Sequence, residues 1–376
     1  MRFLSLFSGI EAATAAWTPF GWECAAVAEV EPFPCALLKH HYPEVPNLGD
    51  VTKITADHIK ALGHIDLVCG GFPCQDLSVA GKRKGLSNAD GTSTRSGLFF
   101  DAMRIADWAN PRWLFIENVP GMFSSNAGRD FAAVVGEMAG CEFDVPRDGW
   151  RNAGVVAGPR GLVEWSVMDA QYHGLAQRRK RVFIVRDAGD WTNRPPIFLE
   201  SYRMQGHLAP SRKKGQSATG TITAGAVSGG ADITTARMVA FGEYVDDGTA
   251  STMKQRDYKD ATDLVSYALA GNTIGRQPEN GGNGTGYSED LSYTLTKADQ
   301  HAVCAPIVAG RTFQVRRLLP IECERLQGFS DSYTNVPHRG KPAADGNRYK
   351  ALGNSWAVPV AAWVGKRIME VEALNV

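Results

Sequence analysis

Cys74 is the residue whose surroundings most suggest covalent chemistry. It follows Gly70-Gly71-Phe72-Pro73 at the end of a short apolar run, and a polar, glycine-containing stretch, 75–96, comes after it. A thiol is a nucleophile only as its thiolate, and nearby positive charge lowers its pKa. The basic residues of this stretch are candidates to supply that charge: Lys82, Arg83 and Lys84.

Glu117 and two arginines are candidates to assist such a nucleophile. Glu117 ends the apolar run 113–116, and a carboxyl there could polarise an electron-poor ring by protonation or hydrogen bonding. Arg179 and Arg181 alternate at the start of the apolar segment 182–185, so they face the same way if a strand has begun. An arginine at that edge could bind a carbonyl oxygen or a phosphate. Surface arginines on an exposed strand are the equally weighted alternative.

Gly9 and Glu29 suggest a nucleoside site. A tight turn after a first strand lets the backbone approach a ligand, and an acid ending the second strand can bind ribose hydroxyls. Positions 11 and 12 are Glu and Ala, so the full GxGxxG motif is absent and a pyrophosphate-bearing dinucleotide is poorly supported. Asp50 could accept a hydrogen bond from an adenine amino group, or could be an ordinary turn aspartate.

The elements that position these residues alternate between strand and helix. Apolar runs at 3–7, 24–30, 65–69 and 113–116 predict strands, and helical patterns lie between them, notably 11–17 and 98–109. This order predicts an α/β fold with a doubly wound, mostly parallel sheet. Open α/β sheets bind ligands at the carboxyl ends of their strands, so the candidates should converge on one edge.

Composition excludes several classes of protein. The 376 residues contain 40 basic and 40 acidic side chains, so net charge does not indicate a polyanionic partner. The charge is nevertheless uneven, because 177–214 holds ten basic and three acidic residues. Seven scattered cysteines without CxxC pairs argue against a disulfide framework or a structural zinc site, and no metal is expected. No membrane span or secretory signal is predicted, so we expect a cytoplasmic protein.

The amino-acid composition changes along the chain. From about 187 to 311 the apolar runs become short and Gly, Ser, Thr and Asn dominate, which suits either a small β-containing recognition domain or disorder. Helical spacing returns at 316–329, and 357–369 is a plausible amphipathic helix capped near Asn354-Ser355.

Nine ordered motifs resemble those of the bacterial and phage cytosine-C5 DNA methyltransferases. They span almost the whole chain apart from about 187–310, the interval that holds the target recognition domain in that family. They read LFSGIEA (6–12), AEVE (28–31), GDVT (49–52), GGFPCQDLSVAGKRKGL (70–86), RSGLFFDAMRI (95–105), ENVPGM (117–122), QRRKRVFIV (177–185), RRLLPIECERLQGF (316–329) and ALGNSWAVP (351–359).

The resemblance implies an S-adenosyl-L-methionine-dependent methyltransferase fold. It divides the chain into a catalytic cofactor-binding domain (1–187), a smaller, irregular β-containing target recognition domain (188–315) and a C-terminal segment (316–376) that returns to the catalytic domain. It also implies a reaction, in which Cys74 attacks C6 of a flipped cytosine, Glu117 engages N3 and the exocyclic amine, and Arg181, with Arg179 nearby, contacts the base or its backbone.

The same resemblance implies the remaining site residues. S-adenosyl-L-methionine is expected to contact Phe7, Ser8, Gly9, Ile10, Glu29, Val30, Asp50, Val51, Leu98 and Asn354. DNA is expected to contact Gln75, Ser78, Lys82, Arg83, Lys84 and Gln177. Residues 75–96 are expected to close over the extruded base, because a cytosine within a duplex cannot be reached by a thiol.

The chain departs from the family at two places in the first motif. Ser5 stands where the family commonly has an acid, and Glu11-Ala12 replace its glycines; this could alter cofactor affinity without removing a catalytic group. We expect a monomeric enzyme acting on double-stranded DNA, with no need of a cognate restriction endonuclease. The alternatives are an RNA cytosine-C5 methyltransferase, a non-catalytic DNA-binding protein of the same fold and, remotely, a thiol hydrolase.

Overall fold

The computed structural model describes residues 1–72, 97–198, 267–269, 287–289, 302–306 and 313–374. The α-helices in these ranges are α1 (Ala12–Trp17), α2 (Pro32–His41), α3 (Ala56–Leu62), α4 (Gly97–Ala109), α5 (Arg129–Ala139), α6 (Pro320–Gln327), α7 (Asp345–Asn354) and α8 (Val358–Glu372). The strands are β1 (Arg2–Leu6), β2 (Glu23–Ala28), β3 (Leu67–Gly70), β4 (Trp113–Asn118), β5 (Ala153–Gly158), β6 (Gly161–Asp169), β7 (Lys180–Asp187), β8 (Tyr267–Leu269), β9 (Tyr287–Glu289), β10 (Ala302–Pro306), β11 (Phe313–Arg317), β12 (Pro337–His338) and β13 (Lys341–Pro342).

A seven-stranded sheet forms the centre of the molecule, with the strand order β2-β1-β3-β4-β7-β6-β5. β1 pairs in parallel with β2 and β3, and β3 pairs in parallel with β4. β7 lies antiparallel to both β4 and β6, and β5 lies antiparallel to β6. All of its strands except β5 and β7 therefore run in one direction, and the predicted mostly parallel sheet is confirmed.

Apolar side chains cover both faces of this sheet. Successive strand residues point to opposite faces, so Trp113 and Phe115 join one buried cluster whereas Leu114 and Ile116 join the other. The first cluster contains α1 and α8, and the second contains α4 and α5. Because both faces of the sheet are buried, its strands are continuous apolar runs and do not alternate between apolar and polar residues. This pattern allowed the strands to be predicted from the sequence.

Parts of the fold differ from the sequence-based expectations. Helix α8 begins at Val358 with Ala357 as its N-cap and no side-chain cap hydrogen bond, so the predicted cap near Asn354-Ser355 is wrong. Pro359 in the first turn has no N–H, so it leaves no donor there without a partner. Strands β5 and β6 and helix α7 were not predicted.

The C-terminal segment packs on the first helix. Trp17 Nε1 donates to the carbonyl oxygen of Ala361 at 2.9 Å, and Trp113 Nε1 donates to Glu372 Oε1 at 2.5 Å. These contacts attach α8 to the same sheet face as α1, next to the strands that carry the candidate residues.

Strands β8 to β11 form a second, antiparallel sheet of four strands in the order β11-β10-β8-β9. It lies in the part of the chain for which a β-containing recognition domain is expected. Its last strand crosses the predicted boundary at 315, because Arg316 and Arg317 pair with β10. The domain boundaries otherwise stay predictions. Within the described ranges, no helix combines the length and apolar character needed to cross a membrane.

Candidate functional site

A pocket opens at the sheet edge where β1, β3 and β4 end. Its walls come from Phe7, Ser8 and Gly9 after β1, from Gly71 and Glu117, and from the segment 354–356. Its empty space, including the open mouth, is about 370 Å³. The predicted convergence of strand ends on one edge therefore places cofactor and catalytic candidates around one space.

The turn after β1 is fixed by Glu29. Gly9 has a φ of 55° and its N–H donates to Glu29 Oε2 at 2.8 Å, while Glu29 Oε1 accepts from the N–H groups of Val30 and Glu31. A side chain at position 9 would meet no atom within 4 Å, so the absent Cβ leaves open space for a ligand. A carboxylate has about four acceptor sites and three are used, which leaves one for a ribose hydroxyl.

Ser8 and Asn47 hold the second strand against this turn. The Ser8 hydroxyl donates to the Ser5 carbonyl and accepts from the Ala28 N–H, each at 3.0 Å. The Asn47 amide oxygen accepts from the N–H groups of Glu29 and Gly49, so it fixes the loop that carries Asp50. Asn47 was missed in the sequence because only its position beside β2 shows what it holds.

Asp50 serves as a helix cap in this structure. Its Oδ1 accepts from the N–H and hydroxyl of Thr52, at 3.0 and 2.8 Å, at the start of a short 3₁₀ turn. Asp50 therefore acts as a turn aspartate, one of the two alternatives that the sequence allowed. A hydrogen bond from an adenine amino group would have to use its other oxygen, Oδ2. Val51 beside it is buried, and its carbonyl accepts from Arg104 of α4, the helix that carries Leu98.

The other predicted cofactor contacts have different surroundings. The Ile10 side chain is fully buried in the core, and its carbonyl accepts from the Tyr333 hydroxyl at 2.7 Å. Val30 is 63% exposed, and Leu98 is half-buried beside the second cluster. Asn354 is exposed and lies in the pocket wall, as predicted. Any role of Ile10 in binding is thus through its backbone.

Glu117 and Arg181 form an ion pair at the pocket. Arg181 Nε lies 3.0 Å from Glu117 Oε1, and a Cβ added to Gly71 would lie 3.0 Å from Glu117 Oε2. Because β7 is antiparallel to β4, its beginning meets the end of β4 and brings the two side chains together. Burial raises the pKa of Glu117, and the charges of Arg181 and Arg179 oppose that rise.

Arg179 is buried and binds backbone rather than facing the open pocket. Its Nη2 donates to the carbonyl oxygens of Gly353 and Ser355 at 3.1 and 2.6 Å, and its own N–H donates to Asp169 Oδ1. Burial lowers the pKa of Arg179 to about 9, so the side chain remains a cation at neutral pH. The geometry indicates that it positions the segment around Asn354.

Asn118 is a second residue that sequence reasoning missed. It is buried, its Nδ2 donates to the Phe72 carbonyl at 3.2 Å and its Oδ1 accepts from the Val119 N–H at 2.8 Å. Phe72 lies two positions before Cys74. Asn118 thus ties the end of β4 to the chain that leads into the predicted nucleophile. Its position directly after Glu117, at the end of a predicted strand, could have indicated Asn118 in the sequence.

Several predicted residues lie outside the described ranges: Cys74, Gln75, Ser78, Lys82, Arg83 and Lys84. Gln177, predicted to contact DNA, is fully buried and its Nε2 donates to the Leu326 carbonyl at 2.7 Å. This position does not favour the predicted DNA contact, because the side chain is used inside the protein to join two segments.

Comparison with known proteins found a matching family model, similar relatives and similar solved structures. A family model described as C-5 cytosine-specific DNA methylase matches residues 1–370. The Type II methyltransferase M.HpaII of Haemophilus parainfluenzae is 26% identical over 98% of this chain and 89% of its own length. The S. pombe Dnmt2 methyltransferase structure matches with a TM-score of 0.56 and 16% identity over the whole of both chains, a likeness that concerns the fold alone. The predicted methyltransferase fold is confirmed.

A further relative carries a different name. The protein called DNA N-6-adenine-methyltransferase of Escherichia phage P1 is 35% identical over 97% of this chain. The chain spans only 60% of the length of that relative.

Proposed function

Because the chain belongs to the C-5 cytosine-specific DNA methylase family, we propose that it transfers a methyl group to C5 of a cytosine in double-stranded DNA. S-adenosyl-L-methionine is the methyl donor that the family and the fold imply. The residues at the pocket fit this cofactor. The Glu29 carboxylate and the open space after the β1 turn suit an adenosine without phosphates, and the negative charge of that carboxylate suits the positive charge of the sulfonium.

The single observation that carries the proposal is the Glu117–Arg181 pair beside Gly71. An activated cytosine ring needs a proton donor or hydrogen-bond partner for N3 at the moment of attack on C6. Glu117 is buried and its pKa is raised, so it can hold a proton at higher pH than an exposed carboxyl. Arg181 holds the carboxyl in place, and we propose that it also contacts the base.

In the proposed reaction Cys74 attacks as the thiolate and forms a bond to C6 of an extruded cytosine. This saturates the 5,6 bond, and C5 becomes nucleophilic. When bound, S-adenosyl-L-methionine supplies the electrophilic methyl group that C5 takes up. Loss of the C5 proton and elimination of the Cys74 thiolate restore the aromatic ring. Gly71 and Asn118 bear on the first step, because they shape and hold the chain leading into Cys74.

Adenine-N6 methylation is the second candidate, since the phage P1 relative bears that name. An exocyclic amine needs no covalent activation, so Cys74 would have no part in that reaction. Part of the relative's length has no counterpart here, and its name can describe chemistry located there. The cytosine-C5 reaction uses the thiol, the carboxyl and the arginine together, and we favour it for this reason.

The remaining expectations are part of the proposal. Residues 188–315 are proposed to read the target sequence, and the basic residues Lys82, Arg83 and Lys84 to meet phosphates during base flipping. We propose a monomer acting without a partner endonuclease in the cytoplasm. RNA methylation and non-catalytic DNA binding are the alternative functions that the experiment must distinguish from DNA methylation.

The test is methyl transfer followed by product analysis. Purified protein and labelled S-adenosyl-L-methionine are incubated with duplex DNA or RNA, and the nucleosides are separated by mass spectrometry. The proposal expects 5-methylcytosine from DNA, and none from Cys74→Ser at equal DNA affinity. N6-methyladenine as the product, incorporation into RNA alone, or full activity of Cys74→Ser would each overturn it. Bisulfite sequencing of DNA from an expressing, methylation-free host then gives the target sequence.

A further inference from the structure

Glu11 occupies a backbone conformation that favours glycine. Its φ and ψ are 63° and 57°, in the left-handed region, and it is the N-cap of α1. A side chain there costs free energy relative to glycine, on the order of 1 kcal/mol. The chain nevertheless places a charged residue at this position and buries it completely, with an exposed fraction of 0%. Strain and burial of a charge at the same residue, beside a ligand pocket, indicate a function.

The Glu11 carboxyl is held by three hydrogen bonds. Oε2 accepts from the Ser5 hydroxyl at 2.8 Å, and Oε1 accepts from the hydroxyl and N–H of Thr14 at 3.0 and 3.1 Å. Ser5, Ala12 and Ala13 all line the pocket. The carboxyl is therefore hydrogen-bonded to a residue of the pocket wall.

No cation faces Glu11 among the described residues, since none of their lysines or arginines forms an ion pair with it. The titratable groups that interact with its charge come from two strands and three connecting segments: Cys24 of β2, Cys69 of β3, Glu29 after β2, Tyr42 after α2 and Tyr333 after α6. None of these groups can carry a positive charge. Burial, with a smaller contribution from Glu29, raises the pKa of Glu11 to about 7. Within the described part of the chain, Glu11 thus has no positive partner.

We propose that Glu11 is a positioning residue that acts through Ser5 as the counter-charge for the sulfonium of S-adenosyl-L-methionine. Its carboxylate makes the pocket prefer the charged methyl donor to the uncharged product, S-adenosyl-L-homocysteine. Binding of the donor releases a proton from Glu11, and the proton returns when the sulfonium has become a neutral thioether. The inference rests on the cofactor of the proposed function and is independent of which base is methylated.

The experiment is calorimetric binding of each cofactor to the full chain without DNA. S-adenosyl-L-homocysteine carries the same adenosine and amino-acid groups as the donor, so the ratio of the two affinities reports the sulfonium charge. For the unmodified protein, we expect the ratio of donor affinity to product affinity to be about tenfold larger at pH 8 than at pH 6. A unit charge within about 10 Å at an effective dielectric constant of ~20 gives an effect of this size.

Glu11→Gln keeps the shape and the cap while removing the charge. It is expected to lose the tenfold preference and its pH dependence, and to retain product binding, which shows that the pocket is intact. Glu44→Gln, at an exposed position with the same change in net charge, is the matched control and should behave as the unmodified protein does. An unchanged affinity ratio in Glu11→Gln at pH 8 would overturn the inference.

A second measurement needs no variant. Donor binding near pH 7 in two buffers of different ionisation enthalpy gives the number of protons released, and we expect more for the donor than for the product. Equal proton release for both cofactors contradicts the role of Glu11 while leaving the proposed function intact. If the unmodified protein binds neither cofactor at any pH, the proposed function fails as well.

Discussion

Arg181 Nε lies 3.0 Å from Glu117 Oε1, although the two residues belong to strands that run in opposite directions. The end of β4 and the beginning of β7 meet only because the sheet reverses direction between them. The strand reversal thus creates the acid–arginine pair at the pocket. An all-parallel continuation would have placed the two arginines at the far edge of the sheet.

Replacing Arg181 with Ala should slow methyl transfer by roughly 10²–10³-fold, the size seen when one group that stabilises developing charge is lost. Arg181 opposes the rise in the Glu117 pKa that burial causes, so its removal raises that pKa further. The limb of the pH–rate profile that reports Glu117 should therefore move to higher pH. Arg181→Lys, which keeps the charge, should leave the limb near its original position. A limb that stays in place in the Ala variant would contradict the pairing.

Asn118→Ala should separate cofactor binding from chemistry. It removes the donor to the Phe72 carbonyl, so the chain entering Cys74 loses its attachment to β4. We expect single-turnover methyl transfer to fall at least tenfold while calorimetric affinity for S-adenosyl-L-methionine stays unchanged. Ser124→Ala, which removes an exposed hydroxyl bond to Gly121, serves as the control and should keep full activity. Equal losses of binding and chemistry would assign Asn118 a general structural role instead.

Arg179→Met should weaken cofactor binding. The variant leaves the carbonyls of Gly353 and Ser355 without their charged donor, and bonds to charged groups contribute ~1.5–3 kcal/mol each. Asn354 lies between these carbonyls in the pocket wall, so the affinity for S-adenosyl-L-homocysteine should fall about tenfold or more. The exposed neighbour Arg178→Met should bind normally. Unaltered affinity in Arg179→Met would show that the segment around Asn354 holds its position without this arginine.

Glu11→Gln should stabilise the protein in a pH-dependent way. Burial raises the pKa of Glu11 from 4.5 to about 7, so the folded state holds a proton that the unfolded state has released. The unmodified protein therefore loses stability as pH rises from about 4.5 through about 7. At ~1.36 kcal/mol per pKa unit, the variant should gain about 3 kcal/mol at pH 8.

Urea unfolding at pH 5 and pH 8 measures this gain. The free energy of unfolding of the Gln variant should exceed that of the unmodified protein at pH 8. We expect this difference to be much smaller at pH 5, where Glu11 is protonated in most folded molecules. A gain of equal size at both pH values would show that relief of some other strain is responsible. Higher stability together with weaker donor binding would be a trade-off between stability and function.

Arg194 should be essential to the stability of the opposite sheet edge. It lies 2.6 Å from Glu164 and 2.7 Å from Asp187, and all three side chains are at most 2% exposed. Arg194→Met leaves the buried carboxylate of Glu164 without its cation, whereas Asp187 keeps Arg112, and the change should cost about 3–5 kcal/mol in urea unfolding. The exposed pair of Arg151 and Asp148 is the control, and Arg151→Met should change the free energy by less than ~0.5 kcal/mol. Similar costs for both variants would contradict the burial argument.

The sequence by itself determined the fold class and the edge at which the site lies. Buried strands with both faces covered are continuous apolar runs, and this local signal marked β1, β2, β3, β4 and β7. Polar residues at the ends of such strands must share one edge, and the structure brings Gly9 and Glu29 together there. The resemblance to a family added roles for the individual residues.

Only the tertiary structure decided which polar groups meet. The Asn118 bond to Phe72, the burial of Gln177 and the pairing of Glu11 with Ser5 all depend on the geometry of packed elements. Sequence patterns report local propensity and burial, whereas these contacts depend on strand direction, on register and on one left-handed residue. Hydrogen bonds and charges require positions accurate to a fraction of an ångström, and only the packed fold fixes the atoms that closely.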